Sequence, residues 1–241
     1  GLLAFLGLGA AYVIVVGFHL LGCLLTLGTT ESRPYSSAAP FRIVSEVRAG
    51  LAFTWRVPRI ESLMMLAFLV NVCAYPMTFG LLPYAAREVF GLDETGLGWM
   101  TAMFGLGSLV SAIMVAGMGA PVHLGRNVVG HTLAWFVLLL AFGLSTQAWQ
   151  AYVLLGLIGY AQGGAMLAMS ISLLEDSGIL MRGRIMGVRI LAVYGLPLGM
   201  AAGGKLIEWL GFQTMVSLYC VVGILVTAAI ALRWRDALLA K

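Results

Sequence analysis

Apolar residues in this chain neither alternate singly nor recur at one helical face; they gather in unbroken runs of membrane-spanning length. Crossing ~30 Å of hydrocarbon at ~1.5 Å per residue takes about 20 apolar residues. Seven segments reach or approach that length: 2–27, 63–82, 97–118, 128–144, 151–174, 185–204 and 212–232. They predict seven transmembrane helices joined by loops. A single charged residue, Arg189, falls inside them, a turn into the sixth, where its long side chain is expected to snorkel to the interface. The first run is too long for a signal-peptide core of about 7–15 residues and has no basic stretch before it. The chain is therefore expected to begin within a larger protein, directly at a span.

The polar stretches divide the chain into four parts. Residues 1–28 form one transmembrane helix and 29–62 a long loop. Residues 63–232 form a six-helix bundle, and 233–241 a tail. Within the loop, residues 29–40 are rich in Ser, Thr, Pro and Ala and read as a flexible linker. Residues 41–55 mix Ile43, Val44, Val47, Leu51 and Phe53 with Arg42, Glu46 and Arg48. That mixture fits a helix on the membrane surface and equally a soluble amphipathic connector.

Composition agrees with the pattern. The 241 residues are 61% hydrophobic and 10% charged, whereas ordinary soluble domains are about 45–50% apolar and 25% charged. An integral, all-α membrane protein follows, and secreted disulfide scaffolds and free nucleic-acid binders are excluded. The net charge of +4 belongs to basic residues gathered on one membrane face. Arg33, Arg42, Arg48, Arg56, Arg59, Arg126, Arg182, Arg184, Arg189, Arg233, Arg235 and Lys241 share one side of the predicted topology; only Arg87 and Lys205 lie on the other. Positive residues stay cytoplasmic, so the N-terminal end is expected outside and the C-terminus inside, in a plasma (inner) membrane.

The chemistry available at membrane depth is sparse. Cys23, Cys73 and Cys220 lie in apolar runs without CxxC spacing, and His19 and His131 have no acidic or second-His neighbour. No metal site, cofactor or enzyme constellation is predicted. All ten Asp and Glu residues fall outside the spans. Asn71, Tyr75 and Thr78 follow i, i+4, i+7 spacing on the second span, and Gln162, Met166 and Met169 share a face of the fifth. Such faces suit a mostly apolar binding cavity, or equally hydrogen-bonded packing between helices. Glycines mark close helix approach or mobile seams: Gly105 and Gly107 in the third span, Gly199 and Gly203 in the sixth, beside Pro197. Pro76 and Pro83 interrupt the second span and Pro197 the sixth.

Residues 44–60 (VSEVRAGLAFTWRVPRI), leading into the span with Asn71, resemble the central loop and seventh helix of the major facilitator superfamily. The resemblance is nearest to its enterobactin-exporter-like branch, the transmembrane secretion effectors. Leu82-Pro83-Tyr84, the run 96–108 (GLGWMTAMFGLGS) and Arg182-Gly183-Arg184-Ile185-Met186-Gly187 resemble the same branch. The loop 119–126, with Gly125 and Arg126, resembles a degenerate copy of the superfamily's basic loop motif, Val122 standing at its acidic position. The resemblance implies helices six to twelve of a twelve-helix transporter, the last six forming the C-terminal bundle. It implies a secondary active carrier, an exporter or antiporter of a small molecule, working in the lipid bilayer with the N-terminal half of the same protein. By analogy the second and fifth spans line the cavity and the third and sixth gate it; a proton-coupling carboxylate would lie in the N-terminal half. A channel-like or assembly subunit is the alternative. A seven-helix retinal protein lacks its lysine, since Lys205 and Lys241 lie outside the last span.

Overall fold

The computed structural model describes residues 2–27, 43–119 and 121–239, with side chains from Tyr12 in the first helix and from Val44 in the second. The predicted linker 29–40, Arg33, Arg42 and Lys241 lie outside the described residues. No strand occurs among the described residues; the chain is all-helical. Helix α1 spans Leu2–Leu27, α2 Ile43–Arg56 and α3 Pro58–Cys73. After α3 come a π-helical turn, Pro76–Gly80, the single turn α4, Leu82–Tyr84, and a second π-helical turn, Ala85–Val89. Then follow α5 Glu94–Met118, α6 Leu124–Leu144, α7 Ala148–Ala192, α8 Gly195–Leu210, α9 Phe212–Arg233 and α10 Arg235–Leu238.

Among the described residues, five helical runs are long and apolar enough to cross a membrane. The longest is Ala148–Leu210. Its first helix, α7, has 45 residues, about 68 Å if straight, which is twice a bilayer core. It is not straight. Gly178 sits at φ +62°, a conformation L side chains resist, and the chain doubles back there. Arg182 Nε donates to the Leu174 carbonyl across the corner at 3.0 Å, and Arg189 Nη1 reaches Ser170 Oγ at 2.6 Å. These cross-links pair residues about equally far from Gly178, so the arms Ala148–Ser177 and Ile179–Ala192 run antiparallel. Arg182 also serves a carbonyl at the end of the first arm, where helices leave acceptors open.

The second arm ends at Ala192, and α8 resumes at Gly195. The sixth predicted span, 185–204, is thus divided between two helices. Pro197 explains the break: it has no N–H to give to Val193, whose carbonyl instead accepts from Leu196 N at 2.9 Å.

Packing centres on α3, α6, the first arm of α7, and α9. Leu63, Leu66, Trp135, Phe136, Leu155, Ile158, Met215 and Cys220 are buried there. Outward faces stay apolar, with Tyr12, Phe18, Leu106, Ile113, Leu198 and Leu225 among many exposed large side chains. So much continuous apolar surface suits lipid rather than water, and the chain has the character of a membrane-embedded protein. Helix α2 rests on α7: Gly50 lies against the Arg184 backbone and Val188, and Arg184 pairs with Glu46 through Nε–Oε2 and through Nη2–Oε1 at 3.0 Å. The C-terminal turn is held too, with Leu238 buried and its carbonyl against Gly125.

Candidate functional site

A cavity of about 600 Å³ opens between α3 with its π-turn, the two arms of α7, and the start of α8. Its wall is mostly apolar, with Phe79, Met166 and Met186 prominent and Asn71, Tyr75 and Arg189 as the polar members. From α3 the lining residues are Ala67, Asn71, Tyr75 and Phe79, a step of four each time. A regular helix advances about 3.6 residues per turn and would carry Phe79 off this face. The π-turn holds it there: Leu81 N donates to Pro76 O at 2.8 Å, an i to i+5 bond that widens the turn. Thr78 is displaced by the same widening. Expected beside Asn71 and Tyr75, it is buried against its own helix, with Oγ1 donating to Tyr75 O at 3.4 Å, and does not line the cavity.

The polar groups form an ordered chain. Ser108 Oγ on α5 lies within hydrogen-bond distance of both the Gly159 carbonyl, at 3.0 Å, and Gln162 Oε1, at 3.2 Å, and Gln162 Nε2 donates to the Tyr75 hydroxyl oxygen at 3.0 Å. Gln162 is therefore engaged at both ends, tying α5 to α3 through the first arm of α7. It positions Tyr75 rather than lining the cavity itself. The Tyr75 ring is held further by Trp135, edge-on at 5.1 Å, and by Phe79 at 5.3 Å. Asn71 is 8% exposed; its Nδ2 donates to Ala67 O at 2.8 Å, and its carbonyl oxygen has no partner among the described residues.

Met166 lines the cavity as expected from its face, whereas Met169 is fully buried in the core. Arg189 does not lie along its own helix. Its guanidinium crosses to the first arm, where Ser170 Oγ accepts from Nη1 and the Met166 sulfur lies 3.7 Å from Nη2. Sequence spacing gave no hint of this, because Ser170 and Arg189 meet only through the corner at Gly178.

The glycines separate into two kinds. A methyl at Gly107 would run into the Gly156 carbonyl, one at Gly159 into the Phe104 carbonyl, and one at Gly199 into the Val72 carbonyl. These positions let α5 meet α7, and α8 meet α3, backbone to backbone. Gly105 faces nothing within 4 Å, and a methyl at Gly203 would make only ordinary contact with Tyr219 and Leu81. Neither is needed for close approach. The residues expected in basic loops are helical: in α6 Gly125 seats the C-terminal turn and Arg126 is exposed, and in α7 Arg182 and Arg184 hold the corner and α2. No group of three or more His, Cys, Asp or Glu side chains suited to a metal occurs among the described residues.

Neither the protein-family models nor the curated proteins offer a match to this chain.

Proposed function

We propose that this chain is the helix-six-to-twelve portion of a major facilitator transporter that exports a small molecule by alternating access. In this reading there are seven spans: α1, α3 with its π-turns, α5, α6, the first arm of α7, the second arm with α8, and α9. The N-terminal end lies outside and the C-terminus in the cytoplasm. The observation that carries it is the cavity. An apolar wall with three convergent polar groups is the usual form of a small-molecule site. Here it is set between two glycine-tight seams along which helices can shift as units. The broken α7–α8 helix and the π-turn Pro76–Gly80 place irregular backbone beside the cavity, where such breaks are tolerated in membranes.

The test is made on the full-length protein in proteoliposomes. A carrier moves substrate at a saturable rate and leaves the vesicles tight to ions, whereas a channel conducts ions through the same preparation. Tyr75→Phe and Asn71→Ala should change transport or substrate preference without lowering the amount in the membrane. Ion conductance, or wild-type transport from both variants, would overturn the reading.

A further inference from the structure

Among the described residues, Arg189 is the one charged side chain on the cavity wall. Of the other arginines on or beside α7, Arg182 donates to the Leu174 carbonyl and does not line the cavity. Arg184 meets Glu46, and Arg59 Nε lies 3.3 Å from Asp176. Arg189 has no carboxylate within ion-pair distance among the described residues. A guanidinium carries five N–H donors in a fixed fork. Only two of Arg189's are engaged, by a serine hydroxyl and a thioether sulfur, both neutral. A partly buried cation within an apolar helical run is costly without a counter-charge and marks a functional site by default. Tyr75 and Asn71 share its wall, the first with a hydroxyl proton that has no partner among the described residues, the second with a free carbonyl oxygen.

We propose that the cavity selects amphipathic anions: a small apolar body lies against Phe79, Met166 and Met186, and an oxyanion such as a carboxylate is taken by the fork of Arg189. This rests on the carrier reading above and names its substrate class. The planar fork matches two carboxylate oxygens at once, and the O–H of Tyr75 is a further donor on the same wall. The bound anion supplies the counter-charge that the described residues do not provide.

The test uses two probes of nearly equal shape, 1-naphthylacetate and 1-naphthylacetamide. Their binding is measured by equilibrium dialysis to the full-length protein in zwitterionic nanodiscs. The acetate should bind about 10- to 100-fold tighter than the amide, the range of a charge-assisted hydrogen bond. Arg189→Gln should erase that preference while amide binding persists, which also shows that the variant is folded. Arg189→Lys should keep part of the preference. Equal binding of the two probes, no measurable acetate binding, or a preference that survives Arg189→Gln overturns the anion site. Flux assays separate this outcome from the failure of the carrier reading. Arg189-dependent acetate binding without saturable flux keeps the site and removes the carrier; saturable flux of neutral molecules without acetate preference does the reverse.

Discussion

Two glycines on one helix, two residues apart, should respond to the same substitution with opposite signs. Gly107 and Gly105 both lie in α5, and both would be read from sequence as parts of one small-residue ridge. At Gly107 an added methyl meets the Gly156 carbonyl and the Tyr160 amide nitrogen of α7, backbone atoms that cannot rotate away. The helices must part, which loosens the seam and the neighbouring Gly159 contact with Phe104. Overpacking of this kind costs about 1–3 kcal/mol. At Gly105 nothing lies within 4 Å, so alanine meets no obstacle and gains up to about 1 kcal/mol from lower backbone entropy in the helix. At about 2–4 °C per kcal/mol for a chain of this size, Gly107→Ala should lower the Tm by roughly 2–12 °C. Gly105→Ala should leave it unchanged or raise it slightly. The assay is thermal unfolding of each purified variant in the same nanodisc, followed by tryptophan fluorescence. Equal stability of the two variants would refute the close approach of α5 and α7 at Gly107.

The remaining predictions address other elements. Val122 is 91% exposed in the loop before α6, and Glu94 is exposed at the start of α5. In a cysteine-free background, an impermeant maleimide should label Glu94→Cys but not Val122→Cys in intact cells, and the reverse pattern would invert the topology. Thr132 and Thr227 are fully buried, and their hydroxyls have no hydrogen-bond partner among the described residues. Since such a group costs about 1–3 kcal/mol, Thr132→Val and Thr227→Val should raise the Tm; a clear fall would mean the hydroxyls are satisfied. Glu46→Arg or Arg184→Glu alone should weaken the docking of α2, and the double exchange should restore it. The coupling should be about 1 kcal/mol or less because both side chains are one-third exposed. Additive losses in the double variant would count against the pair.

Much of the fold was legible because membrane spans announce themselves by length and composition. The first apolar run coincides with α1, and the last differs from α9 by one residue. Helix α6 begins four residues earlier than the fourth predicted span, since 124–127 is helical although Arg126 and Asn127 are polar. What escaped sequence reading depends on backbone irregularity or on neighbours distant in sequence. The π-turn at Pro76–Gly80 changes the local period, so i, i+4, i+7 spacing chose Thr78 where the cavity takes Phe79. The fold-back at Gly178 brings Arg189 onto Ser170, a meeting that no linear pattern contains. Gly105 and Gly107 look alike in sequence, and only the position of Gly156 across the seam distinguishes them. Sequence spacing singled out Asn71, Tyr75 and Gln162; Asn71 and Tyr75 share the cavity wall, and Gln162 is bonded to Tyr75 behind it. Their division of labour, with Gln162 holding Tyr75 and Asn71 on the cavity wall, required the hydrogen bonds.

Alternating access through the α3–α7 cavity is the central claim, and side-specific accessibility of that cavity tests it most directly. Val193 lines the cavity and is 51% exposed, so a single cysteine there reports on its surroundings. The measurement compares labelling of Val193→Cys by an impermeant maleimide in right-side-out and inverted vesicles of the full-length protein, with ion leak recorded in parallel. Labelling from both sides in vesicles that stay tight to ions is the predicted result. Labelling from neither side, or labelling accompanied by steady ion leak, would contradict the account.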